Sequence, residues 1–214
     1  MNDEFLRIKH RNQKGKRNYQ RELDEYISLA DMENAVPTLL LHSCCAPCSS
    51  YVLEYMTQFF DITILYYNPN IYPPEEYNKR VIELEKLIEH MPMRHKPQLI
   101  EGRYDPNEFF EMAKGLENTP EGGERCFKCY EMRLREAAKY ARDLGLEYFT
   151  TTLTISPMKN AQKLNEIAES IEGEYGVKAL PSDFKKREGY KRSIELSHEY
   201  DLYRQDFCGC VYSH

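Results

Sequence analysis

The sequence has no apolar run approaching the roughly 18 residues of a membrane-spanning helix, so no membrane association is expected. Its first thirty residues are polar and lack the apolar core of a secretion signal. The expected location is therefore the cytoplasm, where thiols stay reduced. Glycine-rich phosphate cradles are also missing. Neither a P-loop nor a GxGxxG fingerprint occurs, and no Ser-Gly-Gly loop of the ATP-pyrophosphatase type is present, so ATP-driven chemistry is not expected. Positive charge is not in excess: 29 Lys and Arg stand against 35 Asp and Glu, for a formal net charge of -6. Any contact with nucleic acid must then come from a local patch. There is no internal repeat and no low-complexity segment.

What is present is a chain of 214 residues, 41% hydrophobic and 30% charged, long enough to bury one sizeable core. It falls into two parts, a basic polar extension over residues 1–35 and a single α/β domain over residues 36–214. Between Arg7 and Arg21 lie seven basic residues and no acidic one (Arg7, Lys9, Arg11, Lys14, Lys16, Arg17, Arg21). Such a stretch reads as a solvated tail or as an arm for RNA phosphates.

From Val36 onward, short apolar runs alternate with helical periodicity. Strands are expected over Thr38–Leu41, Asp61–Tyr67, Gln98–Glu101, Glu147–Leu153 and Val177–Leu180. Helices are expected from about Pro47 to Phe60, from Pro74, from near Pro106, over Cys126–Leu144, around Ala161–Ile171 and in the C-terminal segment. Strands alternating with helices argue for an open, mostly parallel sheet covered on both faces, Rossmann-like or HUP-like. In such a sheet ligands bind outside the carboxyl ends of the strands. The unusual segments mostly follow predicted strands: His42-Ser-Cys-Cys-Ala-Pro-Cys48, Asn68-Pro-Asn70, Thr154-Ile-Ser-Pro157 and Pro181-Ser-Asp-Phe-Lys185.

Seven cysteines fall in three groups: Cys44, Cys45 and Cys48 in a strand-to-helix turn, Cys126 and Cys129 at a helix start, and Cys208 with Cys210 around a glycine. A helix N-terminus favours thiolates, and thiols three apart on a helix share a face. In a reducing compartment this pattern speaks for metal or redox chemistry rather than a disulfide framework. The gap between Cys48 and Cys126 is too long for a compact zinc ribbon, and seven thiols exceed the needs of one zinc ion. A cubane iron–sulfur cluster takes four thiolates and leaves three for a second metal or redox work. Iron–sulfur is thus favoured over zinc and over a dithiol site. All seven thiols should face one pocket, with the adjacent Cys44 and Cys45 pointing apart and, where a second metal is bound, onto different metals.

Other candidates are a general acid from Asp183, His42 or Tyr130, and an RNA-binding basic cluster of Lys185, Lys186, Arg187, Lys191, Arg192 and Arg204. The alternatives are a helix cap for Asp183, a strand-end histidine satisfied by backbone for His42, and a solvated face for the charge run.

Five motifs occur in order: His42-Ser-Cys-Cys-Ala-Pro-Cys48, Tyr67-Asn-Pro-Asn-Ile71, Arg125-Cys-Phe-Lys-Cys-Tyr130, Thr150-Thr-Thr-Leu-Thr-Ile-Ser-Pro157 and Tyr203-Arg-Gln-Asp-Phe-Cys-Gly-Cys210. Together they resemble epoxyqueuosine reductase of the QueH type, the cobalamin-independent family acting late in tRNA queuosine synthesis. The resemblance covers roughly residues 36–213 and includes all seven cysteines. It implies two-electron deoxygenation of the epoxide on the modified wobble base. It also implies a 4Fe-4S cluster with an adjacent mononuclear iron, tRNA carrying epoxyqueuosine as substrate, and an external donor of the ferredoxin or flavodoxin type. The competing reading is a zinc-stabilised RNA-binding module without catalytic activity.

Overall fold

The structure, a computed structural model, describes residues 17–213. Its elements in chain order are α1 (Tyr19–Met32), β1 (Thr38–Ser43), α2 (Ala46–Met56), β2 (Asp61–Tyr66), α3 (Pro74–His90), β3 (Gln98–Glu101) and α4 (Pro106–Ala113). There follow α5 (Glu124–Asp143), β4 (Tyr148–Thr151), a 3₁₀ turn (Thr152–Ile155), α6 (Ala161–Tyr175), β5 (Lys178–Ala179) and α7 (Gly189–Glu199). The strands form one all-parallel sheet in the order β3-β2-β1-β4-β5. The expected parallel α/β architecture is what the chain adopts.

Alternation along the strands explains the two-sided cover. Leu39, Leu41, Ile62, Ile64 and Tyr66 pack on one face with α2 and α3, while Leu40, Leu65, Phe149 and Ala179 pack on the other with α5 and α6. The helices carry matching apolar stripes: Tyr77, Val81, Leu84, Leu87 and Ile88 on α3, and Leu134, Ala137, Ala138 and Ala141 on α5. Proline at the first turn starts α3, and Gly176, at φ +69°, closes α6 in the left-handed conformation.

Three elements depart from expectation. Residues 19–32, placed in the polar extension, form a helix that buries Leu23 and Ile27 in the core. Asn18 caps it, its side chain accepting from the Arg21 amide. Of the basic run, Arg17 pairs with Glu22 and Glu169, so it is held within the domain. Arg7, Lys9, Arg11, Lys14 and Lys16 lie outside the described residues. The strand expected to reach Leu153 stops at Thr151, because the Thr151 hydroxyl accepts the Leu153 amide at 3.1 Å and turns the chain into the 3₁₀ segment. The last strand is only two residues long. Among the described residues no helix is long and apolar enough to cross a membrane.

The chain runs outward from β1 through β2 to β3, then returns to lay β4 against the other side of β1. The topological switch point therefore lies between β1 and β4, with Cys44 just past one carboxyl end and the 3₁₀ turn past the other.

Candidate active site

The chain bends at Cys44, directly after β1, and Cys45 becomes the N-cap of α2. Ser43 Oγ meets Ser49 Oγ at 2.6 Å, and Asn68 Nδ2 donates to the Ser43 carbonyl at 2.8 Å, which locks the turn. The thiols of Cys44, Cys45 and Cys48 lie within 4.8 Å of one another. Cys44 and Cys45 were expected to point apart. Their sulfurs instead approach to 3.7 Å, because the bend at Cys44 breaks the strand's up-and-down alternation. Three soft donors this close suit a shared metal centre.

Facing this turn is the C-terminal segment. Gly209, at φ +104°, adopts a backbone conformation that favours glycine, and its carbonyl accepts the Tyr72 amide at 2.9 Å. Cys208 Sγ lies 3.1 Å from Lys159 Nζ. On α5, Cys126, Cys129, Tyr130 and Arg133 share one buried stripe, and the Gly122 amide donates to Cys126 Sγ at 3.3 Å. Cys129 and Cys210 meet in a small apolar cluster with Phe109 and Ala113. A cavity of about 470 Å³ opens at the switch point, with Cys44, Cys48, Cys208, Arg80, Arg133 and Lys159 in its lining.

Three buried cations surround these sulfurs: Arg80 and Arg133, each 2% exposed, and Lys159, 9% exposed. Arg80 Nη1 donates to the Cys208 carbonyl at 3.1 Å and its Nε bonds Glu76 at 2.7 Å. The Nη2 atoms of Arg80 and Arg133 and the Tyr130 hydroxyl are buried without a hydrogen-bond partner. Orphaned donors beside soft sulfur ligands fit a site built around an anionic sulfur-ligated group, since burying a cation requires compensating negative charge. Sequence reading missed all three cations. The signal was phase: Arg80 follows Tyr77 by three residues and Arg133 follows Cys129 by four, so each arginine sits on its helix's buried stripe.

The thiols do not share one protonation state. Hydrogen bonds from Cys44 and Cys48 hold the Cys45 thiol well below its ordinary range, and these two donors are raised in turn. A hydrogen bond from Cys210 lowers Cys208, with Lys159 and Arg133 adding to the effect, while Cys210 is raised by the same bond. Burial opposes the Lys159 charge, yet Cys208 and Tyr130 hold its pKa above the ordinary lysine value.

The three expected acids are placed differently. His42 is fully buried, with Nδ1 2.9 Å from Thr151 Oγ1 and Nε2 3.0 Å from the Tyr67 carbonyl. Burial, helped by Arg133, pushes its pKa down to about 4, so the ring is neutral and occupied on both nitrogens. Asp183 pairs with Lys185 at 3.0 Å and is not part of the cavity lining. Tyr130 is buried behind the cavity and does not line it either, but its hydroxyl has no hydrogen-bond partner, and burial pushes it up to about 12 against the nearby Lys159.

Half of the basic cluster is engaged in ion pairs: Lys185 with Asp183, Arg187 with Asp24 at 2.5 Å, and Arg192 with Glu54 at 2.6 Å. Lys186 and Lys191 are exposed. Arg204 lines the cavity and lies over the Tyr190 ring at 5.5 Å.

Comparison with known proteins agrees with this geometry. The family described as epoxyqueuosine reductase QueH matches residues 39–214. A protein of that name from Staphylococcus epidermidis is 46% identical over 200 residues, covering 92% of this chain and 84% of the relative. One from Streptococcus pyogenes serotype M1 is 44% identical over 198 residues, covering 92% and 78%. One from Thermotoga maritima is 36% identical over 182 residues, covering 82% and 90%. With a match across nearly the whole described domain and the cysteine-lined switch point in place, the chain belongs to the epoxyqueuosine reductase QueH family.

Proposed function

We propose that this chain reduces epoxyqueuosine to queuosine at the wobble position of tRNA, a late step of queuosine biosynthesis. Two electrons and two protons convert the epoxide to an alkene and water. The carrying observation, beside family membership, is the convergence of Cys44, Cys48 and Cys208 with buried Arg80, Arg133 and Lys159 on one cavity. The seven cysteines would hold a 4Fe-4S cluster and an adjacent mononuclear iron, which when bound supply electrons and a Lewis acid for the epoxide oxygen. A zinc-stabilised RNA-binding module without chemistry, its one zinc taking four ligands, leaves three of the seven thiols, and the orphaned cations, without a role.

The protein's own residues have distinct tasks in this reading. The Tyr130 hydroxyl stays protonated at neutral pH and has no hydrogen-bond partner, so it serves as the proton donor. Asp183 and His42, tied to Lys185 and to Thr151 with Tyr67, are structural instead. At the rim, Arg204 with Tyr190, exposed Met158 and the exposed lysines at 186 and 191 receive the anticodon loop, the tyrosine ring stacking on a base and the charges meeting phosphates. Electrons come from a ferredoxin- or flavodoxin-type protein in the cytoplasm.

The test is a set of single Cys→Ala variants at 44, 45, 48, 126, 129, 208 and 210, assayed for iron, sulfide and turnover on epoxyqueuosine tRNA. Cluster ligands lose iron and sulfide together; ligands of the adjacent iron keep the visible absorption and lose turnover. If most variants keep full metal content and activity, the single-site reading is wrong.

A further inference from the structure

The geometry points to Arg133 as a positioning residue whose uncompensated charge balances the sulfur-ligated centre and favours its reduced form. The inference rests on the iron–sulfur reading above. Arg133 stands at the meeting point of the three cysteine groups. Its Nε donates to the Cys129 carbonyl at 3.3 Å, which ties it to α5. Its Nη1 reaches Asn68 Oδ1 at 3.4 Å, and Asn68 in turn holds the Ser43 carbonyl just before Cys44. Nη2 has no partner, is buried, and belongs to a side chain that lines the cavity with Cys44, Cys48 and Cys208.

A guanidinium that is 2% exposed needs negative charge nearby. Among the described residues Arg133 forms no ion pair with a carboxylate. Lys159 differs, because Glu121 lies 3.4 Å from its amine. Arg80 differs too, because Glu76 holds its Nε. The Arg133 side chain instead shares the cavity lining with Cys44, Cys48 and Cys208, and its Nε is tied to the Cys129 carbonyl, so each cysteine group contributes a neighbour. Arg133 is therefore the one of the three buried cations whose balance is left to sulfur. A fixed positive charge beside a redox centre stabilises the form with one more electron. In a low-dielectric site, removing it should change that equilibrium by tenfold or more.

The experiment compares the wild type with Arg133→Gln and Arg133→Lys, purified anaerobically after loading with iron and sulfide. Iron, sulfide and the midpoint potential are measured for each. The expected result is that Arg133→Gln disfavours reduction by at least tenfold, about 59 mV for one electron, or loses the cluster. Arg133→Lys retains the cluster and stays nearer the wild-type potential. Equal potentials in Arg133→Gln and wild type overturn the inference. Equal shifts in both variants, or loss of the cluster from both, also overturn it, because shape and not charge is then what matters. A wild-type protein that takes up no iron and sulfide overturns the cluster reading itself, and this inference with it.

Discussion

Replacing Gly209 with alanine probes how the C-terminal cysteine pair is held. At φ +104° a residue with a Cβ pays about 1–3 kcal/mol in conformation alone. The new methyl would stand 3.1 Å from both Arg80 Nη atoms and 3.2 Å from Cζ. Arg80 cannot swing aside cheaply, since it is 2% exposed, bonded to Glu76 at 2.7 Å and to the Cys208 carbonyl at 3.1 Å. Overpacking of this kind adds about 1–3 kcal/mol. The sum is about 2–6 kcal/mol, and each kcal/mol lowers the melting temperature of a chain this size by about 2–4 °C. Gly145→Ala is the control, because Gly145 has φ +68° and nothing within 4 Å of its would-be Cβ. It should lose only about 1–2 kcal/mol. Thermal unfolding of the iron-free variants, followed by iron and sulfide uptake, reads both effects. Gly209→Ala should melt below Gly145→Ala and take up less iron. If the two melt together and load iron equally, the packing of Arg80 against the Cys208–Cys210 turn is not what holds this segment.

Leu23→Ala should cost about 2–5 kcal/mol in chemical denaturation, because Leu23 is fully buried and α1 is part of the core; a near-neutral change would return α1 to the status of an appendage. Tyr130→Phe should keep iron and sulfide and lower turnover on epoxyqueuosine tRNA by roughly 10²–10⁴-fold if the hydroxyl is the proton donor; wild-type turnover would exclude it. Deleting residues 1–16, which stops short of Arg17 and its pairs with Glu22 and Glu169, should weaken tRNA binding and flatten its salt dependence by about 0.7–0.9 for each phosphate the arm neutralises. Unchanged affinity and salt slope would make the arm a solvated tail.

The architecture was legible because β-strand alternation and helical stripes are local signals. The continuous run Leu39-Leu40-Leu41 marks a strand buried on both faces, while which face meets which helices shows only in the packing. The site's location followed from topology, since turns after parallel strands gather at one edge. Polar composition hid α1: only four apolar residues, Tyr19, Leu23, Ile27 and Ala30, are buried on that helix, and buried Gln20 and Glu22 stand among them, beside the basic run before it. The direction of Cys44 and Cys45 depended on a single bend that no periodicity reports. Arg80 and Arg133 were overlooked because charge reads as surface. Their place on buried stripes makes sense only once cysteines from distant segments face them. Asp183 and His42 looked reactive by position after strands, and only tertiary partners show them occupied.

The most direct measurement is the reaction itself. The protein, purified anaerobically and supplied with a low-potential reductant, is incubated with tRNA carrying epoxyqueuosine, and the digested nucleosides are resolved by mass spectrometry. The predicted result is conversion of epoxyqueuosine to queuosine with loss of one oxygen atom, abolished when the protein is stripped of iron. Unconverted epoxyqueuosine in the presence of iron-loaded protein and reductant, or conversion that persists without iron, would contradict the account.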